Sequence, residues 1–88
     1  MDGRTAEEKL LDNGYDDVPF LTDEGYDSAL IAVTDDNRAV YDYDKMVEDL
    51  CTRYGWTAEE AIEWIEYNTL RALPYFGEDA PVVIHMLE

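Results

Sequence analysis

Two short segments joined by an acidic turn most constrain what this chain can fold into, because together they predict a β-hairpin. Residues 28–34 are almost entirely apolar and rich in β-branched side chains, which favours a strand covered on at least one face. Asp35, Asp36 and Asn37 come next, and these residue types accept turn conformations that most others avoid. Residues 38–43 then alternate in polarity and predict the second strand.

Two segments with helical spacing follow the hairpin. Asp44 is placed to cap the first, and Gly55 to end it. Its apolar positions recur at spacings of one, three and four and are Met46, Val47, Leu50, Cys51 and Tyr54. The second helix begins at the capping box 57–60 and ends at Pro74, which removes a backbone donor. The same four letters at 5–8 predict a short N-terminal helix.

The last apolar segment, 82–86, predicts a third strand, because the preceding Pro81 is tolerated at a strand's first residue. The order helix, strand, strand, helix, helix, strand is typical of an α+β fold. We expect a three-stranded sheet covered on one face by the two longer helices. The third strand is expected beside 28–34, since that segment is the most apolar and favours the central position.

The domain organisation follows from the same pattern. We predict an N-terminal helix and acidic arm over residues 1–27 and an α+β core over 28–88, within one compact domain. Residues 15–27 are interpreted as a loop that Phe20 and Leu21 pin to the core.

The net charge of the chain restricts the classes of partner that it can bind directly. Asp and Glu number 22 against 6 Lys and Arg, which gives a formal net charge of −16. Nucleic acids and anionic membranes attract proteins through Lys and Arg, so the sequence argues against both as direct partners. Hydrophobic residues make up 47% of the chain, too many for a disordered polyanion.

The cysteine count and the apolar runs predict a cytoplasmic protein. A lone cysteine, Cys51, excludes an internal disulfide framework and a cysteine-built zinc site, and it suits a reducing compartment. No apolar run approaches the roughly 18 residues that a membrane helix needs.

Catalytic and metal chemistry find little support in the sequence. The acidic turn at 35–37 lacks the central glycine of a calcium loop. Cys51 and His85, the single histidine, form a conceivable nucleophile pair, but Cys51 lies within an apolar stripe where cysteine behaves as a small hydrophobe. We therefore expect no enzyme activity, no cofactor and no metal site.

Aromatic residues interleaved with carboxylates predict a surface for protein recognition, because Tyr and Trp are frequent interface anchors. The alternative is an ordinary solvated face. The predicted partner-binding residues are Asp35, Asp36, Asp42, Asp44, Glu48, Asp49, Glu59, Glu60, Glu63, Trp64, Glu66 and Tyr67. Nearby, Trp56 is expected to pack before the Thr57 cap, and the Asn68 amide to bond carbonyls of the 73–77 turn.

Residues 29–86 resemble a family of small, acidic, uncharacterised proteins of bacteriophages and bacterial mobile elements. The resemblance rests on Ala39-Val40-Tyr41-Asp42-Tyr43, on Ala61-Ile62-Glu63-Trp64-Ile65, and on the string from Tyr67 to Tyr75. It implies a phage setting, in which small acidic proteins often inhibit host nucleic-acid machinery, including restriction and CRISPR systems. It implies no catalytic residue, and residues 1–25 lie outside the shared pattern.

Three hypotheses account for the charge. In the first, the chain is an acidic inhibitor that covers a basic nucleic-acid-binding surface of a host protein or nucleoprotein complex, as an anti-CRISPR or DNA-mimic protein does. In the second, it is a phage structural or accessory protein, or a homodimer or larger homo-oligomer, and the charge serves solubility. In the third, the charge reflects a high-salt environment, consistent with Lys9 and Lys45 being the only lysines.

Overall fold

The helices and strands follow the predicted order, with additional 3₁₀ and π-helical turns. A computed structural model describes residues 4–21 and 24–87. The elements are α1 (Ala6–Asp12), a first 3₁₀ helix (Glu24–Ala29), β1 (Leu30–Val33), β2 (Ala39–Asp42), α2 (Tyr43–Tyr54), α3 (Ala58–Trp64), a π-helical turn (Ile65–Thr69), α4 (Leu70–Ala72), a second 3₁₀ segment (Leu73–Asp79) and β3 (Val82–Ile84). The predicted α+β fold, with helices packed against a three-stranded sheet, is confirmed.

The sheet order is β1-β2-β3, so the expected pairing of the third strand beside the first is wrong. β1 pairs antiparallel with β2 in the predicted hairpin, and β3 pairs parallel with β2, with Val82 opposite Val40. β2 is central because all four of its residues are buried, whereas Ile31 in β1 is 40% exposed. The prediction placed β1 at the centre of the sheet because its segment is the most apolar.

Two polar residues of β2 are buried because each has hydrogen-bond partners. The Tyr41 hydroxyl accepts a bond from the Leu21 backbone N–H at 3.0 Å. The Asp42 carboxylate accepts from the backbone N–H of Asp44 at 3.0 Å and so caps α2. Asp42, and not the predicted Asp44, is therefore the N-cap, since α2 begins two residues earlier than that cap would place it.

The N-terminal helix packs into the same core as the rest of the chain. Ala6 and Leu10 are buried there, and the Ala6 N–H donates to the Asp27 carboxylate at 2.9 Å. The Lys9 ammonium donates to the carbonyl oxygens of Asp27 and Leu30. It therefore covers part of the edge of β1, where an open strand would invite pairing with another chain.

The segment predicted as a loop also packs on the core. Leu21 is buried and Phe20 packs beside it, as expected for a pinned arm. The first 3₁₀ helix was not predicted, and its Tyr26 is fully buried. Residues 1–3, 22, 23 and 88 of the two predicted segments lie outside the described residues.

The helix from Ala58 to Ala72 is continuous but changes its geometry midway. Ala61, Ile65 and Thr69 face the core, and the backbone from Ile65 to Thr69 adopts π-helical hydrogen bonding. The Thr69 hydroxyl lies 2.7 Å from that of Tyr26, both of them buried. This contact fixes the π-helical turn against the first 3₁₀ helix, and π-helical turns are frequent at functional sites.

Candidate functional site

A groove of ≈ 400 Å³ lies on the outer side of α3 and the π-helical turn. It is lined by Trp56, Glu60, Glu63, Trp64, Tyr67 and Asn68. Four of these six belong to the predicted partner-binding set, namely Glu60, Glu63, Trp64 and Tyr67. We call this site the aromatic groove.

Stacked rings form one wall of the aromatic groove. The Trp56 ring stacks on Tyr54, with centroids 4.9 Å apart and an interplanar angle of 27°, and packs on Trp64, with centroids 5.6 Å apart and tilted planes. Trp64 remains 41% exposed and Tyr67 60% exposed. Apolar ring surface in this ordered arrangement is available to a partner.

Carboxylates form the rim of the aromatic groove. The capping box holds Glu60, whose Oε1 accepts from the Thr57 N–H at 3.0 Å. Glu63 is exposed one turn further along, and within residues 4–21 and 24–87 its carboxylate has neither an ion pair nor a hydrogen bond. A carboxylate has about four acceptor sites, so both side chains retain acceptor capacity.

The far end of the groove is shaped by the π-helical turn. The Asn68 amide donates to the Trp64 carbonyl oxygen at 3.2 Å, so its predicted bond to the 73–77 turn is wrong. The Arg71 guanidinium lies over the Tyr67 ring, its central carbon 5.3 Å from the centroid. One ring of the groove thus already binds a cation of the same chain.

A second acidic cluster joins the start of α2 to the π-helical turn. Burial, and then the negative charges of Glu66 and Asp44, raise the pKa of the Tyr43 hydroxyl above its ordinary value of 10.0. The Tyr43 ring also packs on His85, with centroids 4.6 Å apart. The charges of Asp44 and Glu66, two predicted residues that lie 22 positions apart in the sequence, therefore both act on Tyr43.

The hairpin turn is not part of either cluster. Asp35 and Asp36 lie between β1 and β2, at the end of β2 opposite to the start of α2. The Asp36 carboxylate accepts a hydrogen bond from the Thr34 hydroxyl, and Asn37 takes the left-handed conformation at φ 61°. These residues close the turn, as their type predicts.

Asp42 is a correction to the predicted surface. It is only 7% exposed, and its carboxylate is engaged in capping α2. The alternation Tyr-Asp-Tyr-Asp predicts an outward carboxylate, but Asp42 ends the central strand and its carboxylate accepts hydrogen bonds from the first N–H groups of α2. Glu48 and Glu59, by contrast, are exposed on α2 and α3 as expected.

Asp49 is half-buried and already bonded, since its carboxylate accepts from the Ser28 hydroxyl. Burial raises the pKa of Asp49 above its ordinary value of 3.8, although the Ser28 bond opposes this shift. A raised folded-state pKa means that the protonated form contributes stability below about pH 4, and that this contribution is lost as the pH rises through the folded-state pKa.

We therefore expect Asp49→Asn to become progressively more stable than the parent protein as the pH rises from 3.5 to 7. The amide keeps an acceptor for Ser28 and carries no charge to desolvate. Urea unfolding at several pH values measures the difference. Glu59→Gln, which removes an exposed carboxylate, serves as the control. A stability difference between Asp49→Asn and the parent protein that stays the same from pH 3.5 to 7 would contradict the expectation.

Other chemistry receives no support from the described residues. Among residues 4–21 and 24–87, no group of three or more His, Cys, Asp or Glu side chains is arranged to hold a metal ion. His85 contacts Tyr43, and Cys51 packs against the core as a partly buried side chain. Over the same residues, no helix has both the length and the apolar character needed to cross a bilayer.

No protein-family model, curated protein or solved structure matches this chain. The chemistry of the aromatic groove and its surroundings therefore carries the functional conclusion. Sequence reasoning had placed Trp56 before a helix cap and had not assigned it, Tyr54 or Asn68 to the site. For Tyr54 and Trp56 the one available signal was the spacing Tyr54-Gly55-Trp56, because the left-handed Gly55 turns the chain so that the two rings stack.

Proposed function

We propose that this chain is a non-enzymatic, phage-encoded binding protein that covers a basic nucleic-acid-binding surface of a host defence complex, as a DNA-mimic or anti-CRISPR inhibitor does. The observation that carries the proposal is the outer face of α3. It presents exposed carboxylates without cation partners among the described residues, next to half-exposed aromatic rings.

The spacing of these carboxylates suits a polyanion mimic. Glu59 and Glu63 are four residues apart on α3, which places them about 6 Å apart along the helix axis. Glu66 continues the series into the π-helical turn, close enough to Tyr43 for its charge to raise the pKa of that hydroxyl. A row of fixed negative charges attracts a cationic groove over long range and accelerates encounter at low salt.

The net charge selects the class of partner. At −16 the chain repels nucleic acid and anionic lipid, and it is attracted to proteins whose own function is to bind polyanions. The aromatic rings add contact area that salt does not screen. The partner is accordingly a basic protein or nucleoprotein complex, and nucleic acid is the ligand being imitated.

A displacement experiment tests this function. Nucleic-acid-binding proteins from a bacterial lysate are loaded on DNA-cellulose at low salt, and the purified chain is passed over the column. We expect it to release one or more basic proteins, and we expect Glu59→Gln/Glu63→Gln/Glu66→Gln to release roughly tenfold less, at about 0.5 kcal/mol for each lost charge contact.

The matched control is Asp16→Asn/Asp17→Asn/Asp79→Asn, which also removes three exposed carboxylates but spares α3 and the predicted partner-binding residues. It is expected to act like the parent. Release of no basic protein, or equal release by the two triple variants, would contradict the proposal.

In that case a light-scattering mass that is a multiple of 10.1 kDa would favour the homo-oligomer hypothesis, for which Tyr75 and Leu87, both more than 90% exposed, offer contact surface.

A further inference from the structure

We infer that the aromatic groove is an arginine-binding site, which takes the guanidinium of one arginine on the basic partner. This inference rests on the proposed function and names the contact that anchors it. The occupant is a side chain of a protein partner, held between ring faces and carboxylates.

The composition of the groove selects a planar cation. Trp56, Trp64 and Tyr67 line the groove, and the negative potential of an aromatic face attracts a cation within about 6 Å of the ring centroid. Glu60 and Glu63 supply carboxylate oxygens that form charge-assisted, two-point hydrogen bonds with a guanidinium. A purely apolar ligand would leave both carboxylates with lost hydration and no compensating bond.

Arginine fits these features better than lysine does. The guanidinium is planar, stacks on aromatic faces and is more weakly hydrated than an ammonium, so it loses less on entering a half-exposed aromatic site. The chain itself illustrates the chemistry, because Arg71 lies 5.3 Å from the centroid of Tyr67. That internal contact involves the Tyr67 ring, and among the described residues no cation lies over the ring of Trp64, which is 41% exposed.

The groove is ordered before any ligand arrives. The Trp56 ring packs on both Tyr54 and Trp64, and the capping box fixes Glu60. The Asn68 amide donates to the Trp64 carbonyl oxygen and braces the backbone where the helix changes geometry. Preorganised side chains lose little conformational entropy on binding, so the attraction is retained as affinity.

Fluorescence tests the inference directly, because the two tryptophans of the chain both line the groove. The probe is a capped peptide of alternating glycine and arginine with four arginines, and its comparator replaces each arginine with lysine. We expect the arginine peptide to change the tryptophan emission and to bind roughly two- to fivefold more tightly than the lysine peptide, at equal charge and ionic strength.

Two variants locate the site. Trp64→Leu keeps an apolar side chain but removes a ring, and it is expected to abolish the preference for arginine. Tyr75→Leu, which removes a ring that is 92% exposed and outside the groove, is expected to keep it. Calorimetry follows binding in both variants, and circular dichroism confirms that each one folds.

A third variant is expected to strengthen the binding of the arginine peptide. Arg71→Gln releases the Tyr67 ring and removes a repelling charge, so we expect tighter arginine binding. Lys45→Gln removes the same charge from the exposed surface of α2 and is expected to have a smaller effect. Equal gains from the two variants would indicate net charge alone and would contradict the site.

The outcomes separate this inference from the proposed function. Equal affinity for the two peptides, or an unchanged preference in Trp64→Leu, overturns the arginine site. Displacement from DNA-cellulose would still stand in that event and would be attributed to the carboxylates. Failure of both peptides to bind at low salt, together with no displacement, overturns both.

Discussion

Tyr26→Ala is expected to lower the free energy of unfolding by about 3–5 kcal/mol, the range typical of truncating a buried aromatic ring. Tyr26 is fully buried, and it joins the first 3₁₀ helix to the core beneath the π-helical turn. The loss approaches the whole stability of a small domain. Urea unfolding followed by circular dichroism measures this loss. A broad or absent unfolding transition would mean that the loss equals the whole stability of the domain, which is the upper end of the expected range.

Two further variants make this prediction specific. Tyr75→Ala truncates the same residue type at a site that is 92% exposed, and we expect it to change stability by less than about 0.5 kcal/mol. Tyr26→Phe leaves the Thr69 hydroxyl buried without its tyrosine partner and is expected to cost about 1–3 kcal/mol. Similar losses for Tyr26→Ala and Tyr75→Ala would show that Tyr26 does not anchor this segment.

Ile65→Ala is the second large expected effect, a loss of about 2–5 kcal/mol. Ile65 is fully buried where α3 passes into the π-helical turn, and it directly follows the groove residue Trp64 in the sequence. We expect the tryptophan emission to shift as well, because Trp64 is the adjacent residue. Urea unfolding and emission spectra of the folded variant measure the two effects.

Ile62→Ala is the matched control, since it removes the same atoms from the same helix at a position that is 36% exposed. We expect a loss of about 1 kcal/mol or less there, because less apolar surface returns to water. If Ile62→Ala were as costly as Ile65→Ala, the assignment of the core-facing side of this helix would be wrong.

The features of the fold that could be predicted are those determined by residues close together in the sequence. Thr57 and Glu60 form the capping box that their spacing predicts, and Thr5 and Glu8 form the other. The hairpin lies where the apolar run and the acidic turn placed it, although β1 and β2 are each shorter than predicted. Such features depend on local hydrogen bonds and backbone preference, which a single sequence records.

The strand order could not be obtained in this way. β2 contains Tyr41 and Asp42, and their polar atoms gave it a partly exposed character in the sequence. Both are buried because a distant backbone N–H bonds to Tyr41 and the next helix bonds to Asp42. Those partners exist only in the assembled structure, and the same reason explains why Asp42 was predicted as a surface carboxylate.

The site was predicted in part. The interleaving of Glu63, Trp64 and Tyr67 grouped these residues in the sequence, and the structure places all three around one groove. The π-helical turn, which displaces Tyr67 and Asn68 from α-helical spacing, has no local signature in the sequence. The contribution of Trp56 likewise depends on the angle at which α2 and α3 meet.

The parallel pairing of β3 with β2 has a consequence for the kinetics of folding. Val40 and Val82 become neighbours only after a loop of about forty residues has closed, and the entropy of that closure opposes early pairing. The hairpin and α2, whose contacts are local, are therefore expected to assemble first. Until β3 pairs with it, β2 is an edge strand of a partly folded sheet. We expect this transient species to be the one that chaperones bind or that aggregates.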